Sequence, residues 1–249
     1  MSKITTALWG LASLLFICVG AHAATSLDGV TLIDETTITA AGGYPYQITK
    51  PGSYRLSGNL TVPGSEDAIH ILADGVTLDL GGFSITASGY GASCCAIYDM
   101  GGTHTGNSVR NGSITGFYQA ILLQGCDFCA VQQLILVNNW YGIFLGTNSL
   151  VSANVLGCPG VAASASDGGT EGILLYGSAV VSGNTISGFT IGLNPGANSL
   201  VSGNTVTGNQ QGMLFVGPTN VVGNFLGGND QDFSGLGSSD YMFNNNPKS

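Results

Sequence analysis

Val181-Ser182-Gly183-Asn184-Thr185 is written again, twenty residues on, as Val201-Ser202-Gly203-Asn204-Thr205. Looser copies stand at Val151-Ser152-Ala153-Asn154-Val155 and at Val221-Val222-Gly223-Asn224-Phe225. Self-similarity at a fixed period of this length marks stacked supersecondary units, none of which can bury its apolar face alone. The reading that follows is a single-stranded right-handed parallel β-helix, an all-β solenoid with three short strands per coil and capped ends.

Two markers extend the coils outward from this stretch. The first is a small residue followed by two apolar positions with one residue between them. It occurs at Ala68-Ile69-His70-Ile71, Ala120-Ile121-Leu122-Leu123, Gly142-Ile143-Phe144-Leu145, Gly172-Ile173-Leu174-Leu175 and Gly212-Met213-Leu214-Phe215. Imperfect copies are Ala96-Ile97-Tyr98-Asp99 and Gly192-Leu193-Asn194-Pro195. The second is a valine: Val76, Val109, Val131, Val151, Val181, Val201 and Val221, most with an apolar residue five places on. The period of two along a strand sends these positions inward and their neighbours outward. Asn154, Asn184, Asn204 and Asn224, three after their valines, are expected to stack as an amide ladder, with Asp79 at its N-terminal end.

The flanks differ in composition. Lys3, the apolar run Ala7 to Gly20 and Ala21-His22-Ala23 read as an export signal with a small-x-small cleavage site. The run is too short for a spanning helix, so no membrane insertion is expected after cleavage. The expected organisation is a signal peptide over 1–23, an N-terminal cap over 24–55, the β-helix over 56–228, and a C-terminal cap and tail over 229–249. The location implied is secreted or periplasmic.

The chain carries 5 Lys and Arg against 14 Asp and Glu, a formal net charge of −9, and 40 Gly. This balance argues against nucleic acid and anionic membrane surfaces as partners, and mildly against a strongly anionic polysaccharide. Export permits disulfides. Cys126-Asp127-Phe128-Cys129 has the two-residue spacing of a redox or zinc motif, but no second such pair exists, and a local bridge is the better reading. A bond from Cys94 or Cys95 to Cys158 requires insertion loops that lean together. No metal site or cofactor is expected, apart from an alternative Ca²⁺ site made by Asn229, Asp230 and Asp232.

Gly52-Ser53-Tyr54-Arg55-Leu56, Gly75-Val76-Thr77-Leu78-Asp79-Leu80-Gly81-Gly82 and Val109-Arg110-Asn111-Gly112-Ser113-Ile114 resemble the opening coils of bacterial right-handed parallel β-helix repeat proteins of the pectin-lyase-like superfamily. The resemblance covers roughly residues 50–230. It implies the fold and a carbohydrate context, but the superfamily mixes lyases, hydrolases, epimerases, esterases, adhesins and binding proteins, so it does not choose an activity. The Asp-Pro-His-Glu signature of mannuronan epimerases and the Gly-His-Gly of polygalacturonases are missing.

Two function classes follow. The leading one is contact with a polysaccharide or cell-surface glycan through the outward column His70, Tyr98, Leu122, Phe144, Leu174, Asn194 and Leu214, with Trp140 and Tyr141 beside Phe144. In that reading His70, Tyr98, Phe144, Trp140 and Tyr141 bind the substrate. Its enzymatic version, a lyase or hydrolase, draws on Asp99, Arg110, His104 and Glu171, because a lyase needs a base and a hydrolase needs two facing carboxylates. The competing class is a non-catalytic structural or adhesion protein that displays loops.

Overall fold

The computed structural model describes residues 26–27, 29–88, 94–99, 101–158 and 169–247. The expected signal peptide, Asp167 and much of two insertion loops lie outside them. The described chain winds as an all-β right-handed parallel β-helix. One wall is a 9-stranded sheet and the rest of the tube is an 18-stranded sheet.

A coil is clearest in its later copies. Glu171–Leu175, Ala179–Ser182 and Thr185–Ser187 make one turn of the spiral. Ile191–Asn194, Ser199–Ser202 and Thr205–Thr207 make the next. Each strand pairs in parallel with its counterpart, so that Ile173 faces Leu193, Val181 faces Val201, and Ile186 faces Val206. Residues twenty apart therefore share one column, and the interior fills itself. Ile97, Ile121, Ile143, Ile173, Leu193 and Met213 form one buried column; Val109, Val131, Val151, Val181, Val201 and Val221 form a second. Full burial of each such side chain is worth about 1.5–3 kcal/mol, and this repeated gain drives the stacking.

The small residue of the first marker has a steric cause. A Cβ on Gly142 would sit 2.3 Å from the carbonyl oxygen of Gly172, and one on Gly172 would sit 2.5 Å from that of Gly192. The strand bends inward here so tightly that the next coil leaves no room for a side chain.

The asparagine ladder is present. In Asn184 and Asn204 both the backbone N–H and the side-chain amide donate to the Oδ1 of the next asparagine at 2.9 Å. The column runs from Asn154 to Asn245, beyond Gly228, where Gln231–Ser234, Tyr241–Phe243 and Asn246–Pro247 add another coil. Asp79 is not part of it. Leu78, not Val76, lies opposite Val109, which places Asp79 beside Arg110. Leu78 holds the place that valine takes in later coils, so counting three on from Val76 starts two residues early; the turn that follows passes through Gly81 and Gly82 at positive φ.

At the N-terminal end, Val30–Ile33 already pairs with Gly52–Leu56, and Tyr46–Ile48 with Ile69–Ile71, so coiling begins before Tyr54. Between them lies the helix Glu35–Ala40. Asp34 caps it by accepting the Thr37 N–H, and Ile38 is buried from it. A disulfide joins Cys126 and Cys129, so the local bridge is found. Cys94, Cys95 and Cys158 are buried.

Candidate functional site

The outward column is in register as expected: His70 pairs with Tyr98, Tyr98 with Leu122, Leu122 with Phe144, Phe144 with Leu174, and Leu174 with Asn194. It is not one open platform. His70, Phe144 and Asn194 are buried, and the aromatic members separate into two patches.

The first patch is polar at its base. His70 Nε2 lies 2.8 Å from Asp67 Oδ2, and its ring meets Tyr98 edge-on at 5.5 Å. The other oxygen of Asp67 accepts the Cys95 N–H at 2.6 Å, and the Cys95 thiol donates to Gln119 Oε1. Burial, with Asp67 nearby, pushes the Cys95 thiol up to about 12, so it stays protonated at neutral pH.

The second patch is a chain of rings. Phe144 meets Tyr141 at 5.3 Å, Tyr141 meets Tyr118 at 5.1 Å, and Tyr118 meets Trp140 at 6.0 Å. The spacing and tilts match favourable aromatic pairs. Tyr118 is absent from the sequence-derived set. Its signal was the match of Phe117-Tyr118-Gln119 with Asn139-Trp140-Tyr141, which stacks Tyr118 on Trp140. The turn that presents both is fixed by Asn139, whose Oδ1 accepts the Phe117 N–H and whose amide donates to the Ile114 carbonyl. Asn209 and Asn229 form a second ladder at the same corner.

Glu171 is the Cα partner of Tyr141, one coil further along. Its strand start is fixed by Thr170 and Thr190, each donating its N–H to the other's hydroxyl at 3.0 Å. Desolvation raises the Glu171 carboxyl above its ordinary value, and its Oε2 is buried with no hydrogen-bond partner among the described residues.

The catalytic candidates do not assemble into one site. Asp99 lies just past the strand Cys95–Tyr98 and is buried, its oxygens accepting N–H groups from Gly101 and Gly125 at 3.3 and 3.2 Å. Burial raises its carboxyl, while these amides and the neighbouring His104 pull it back. His104 Nδ1 lies 3.6 Å from Asp74 and lines a cavity of about 290 Å³ with Gln124, Asp127, Thr147 and Tyr176. Arg110 is elsewhere, on the 18-stranded sheet, with Nε 3.5 Å from Asp79. Glu171 stands four residues along the strand and three coils from Asp99, about 13 Å and about 14 Å respectively at β spacings. Hydrolytic carboxylate pairs lie about 5–10 Å apart, so these two are not such a pair.

Comparison with known families adds one match. A family described as "Periplasmic copper-binding protein (NosD)" covers residues 59–249. The chain belongs to the NosD family. No curated protein and no solved structure gives a significant match.

The copper in the family's description can be tested against the donors present. Among the described residues no three His, Cys, Asp or Glu converge on a point that could hold a metal ion. His70 is engaged with Asp67, His104 faces Asp74, Cys126 and Cys129 are joined, and the Cys95 thiol is held protonated. The described residues do not fit a resident copper site. The Ca²⁺ alternative meets the same difficulty: Asn229 Oδ1 already accepts from Asn209, and its amide donates to Asp232. Among the described residues no helix is long and apolar enough to cross a membrane.

Proposed function

We propose that this member of the NosD family is an exported, periplasmic or secreted, β-helix protein that holds a polysaccharide or cell-surface glycan against its 9-stranded sheet. The observation that carries the reading is the unbroken run of rings Trp140, Tyr118, Tyr141 and Phe144, half-buried apart from Phe144 and seated on a rigid wall. Such rings offer sugars an apolar face while their N–H and O–H groups meet hydroxyls. The apolar start of the chain and the family's periplasmic description support export. The scattered positions of Asp99, Arg110, His104 and Glu171 favour binding over catalysis by that set. Tyr98 and His70, one and two coils before the coil that carries Tyr118, are a secondary contact.

A glycan array followed by calorimetric titration of the hits tests this. Wild type binds at least one glycan, and the double variant Tyr118→Ala, Trp140→Ala loses at least tenfold in affinity with its thermal unfolding still cooperative. An unchanged titration in that variant sinks the platform.

A further inference from the structure

One register position of the 9-stranded sheet contains Gln119, Tyr141, Glu171, Ile191, Gln211 and Gln231 in successive coils. Gln119 accepts from the Cys95 thiol and Gln211 from the Ser234 hydroxyl. Glu171 has no such partner for Oε2 among the described residues. The fold does not require an acid there, because Ile191 fills the same position one coil on. A buried carboxyl oxygen without a partner is destabilising, so the group is open to a donor brought from outside.

What it wants can be read from its surroundings. None of the ion pairs among the described residues involves Glu171. On one side stands Tyr141, joined to Tyr118 and Trp140. Ring faces attract cations, most strongly when water is excluded. An acid beside a group of rings is complementary to an organic ammonium, and the formal charge of −9 attracts such ligands from a distance while repelling uronates.

We propose that Glu171, with Tyr118, Trp140 and Tyr141, recognises a protonated amine, so that the glycan class preferred is one bearing free amino groups. This rests on the glycan-binding reading above and names its ligand chemistry. The elevated Glu171 carboxyl fits it, since an arriving ammonium replaces the missing hydration and favours the ionised form.

Two probes decide it: a glucosamine hexamer and its fully N-acetylated counterpart, titrated calorimetrically at pH 6, where the amine is charged. Wild type binds the free-amine hexamer at least tenfold more tightly, and Glu171→Gln brings the two to parity. The substitution keeps the shape and removes a desolvated acid, so the variant folds; its melting curve verifies that. If the acetylated hexamer binds as well as the free amine, or if Glu171→Gln leaves the preference intact, the amine inference is overturned and the ring platform survives. If neither hexamer nor any array glycan binds, the platform falls and takes this inference with it.

Discussion

Removing one amide from the middle of the ladder has a cost that can be worked out bond by bond. Asn204 is almost fully buried. Its Oδ1 accepts the N–H and the side-chain amide of Asn184, both at 2.9 Å, and its own amide donates to the Val181 carbonyl at 3.0 Å and to Asn224 Oδ1 at 2.9 Å. Truncation to Ala therefore strands the Asn184 N–H and the Val181 carbonyl, with no water to replace the lost partner. Each stranded buried group costs about 1–3 kcal/mol, so with two of them Asn204→Ala is expected to lose about 2–6 kcal/mol. Asn245 stands at the half-buried end of the column, where solvent reaches the groups released, and Asn245→Ala should lose about 1 kcal/mol. Urea unfolding followed by far-UV circular dichroism measures both, with the m-value checking that the transition stays cooperative, since solenoid coils are coupled mainly to their neighbours. An Asn204→Ala loss no larger than that of Asn245→Ala would show that the ladder is ornament and not support.

Two further perturbations probe other parts of the argument. Gly172→Ala sets a Cβ 2.5 Å from the Gly192 carbonyl and 2.8 Å from Ile186 Cγ2, a clash expected to cost about 1–3 kcal/mol. Gly58→Ala, with nothing nearer than 3.9 Å, should be neutral, and equal melting points for the two would refute the tight-bend account. Asp99 gives a pH signature: its folded carboxyl titrates above the unfolded value of about 4, so the stability it lends is complete below that value and lost as pH rises through the folded one. Relative to wild type, Asp99→Asn should gain in melting temperature between pH 3.5 and 7, and a gap that is flat or that closes contradicts the sign.

The fold was legible because the interior repeats. Val181 and Val201, or Ile186 and Val206, occupy the same place in successive coils, and a column that must be filled at every level writes its period into the chain. The same logic explains the failure at Asp79. Its coil sets Leu78 where later coils set valine, so a rule keyed to valine starts at Val76, two residues early. It also explains the second ladder that went unnoticed. Phe117 and Phe189 take the same corner as Asn139, Asn209 and Asn229, so the amide signal is interrupted.

The site was less legible because outward residues answer to no such rule. Alternation locates Phe144 and Tyr98 on the outer face, but whether rings meet depends on how neighbouring coils align, and Tyr118 joins the patch through its contacts with Trp140 and Tyr141. Closeness in sequence is no guide here: Asp67 engages His70, whereas Asp99 lies just past a strand of the 9-stranded sheet and Arg110, only eleven residues on, stands on the 18-stranded one. Since the stability comes from the filled columns and satisfied ladders inside, the outer face is free to keep groups that serve no structural end. A carboxyl that the stack does not need, placed beside rings that the stack does not need, is where a solenoid built from identical coils stops being generic.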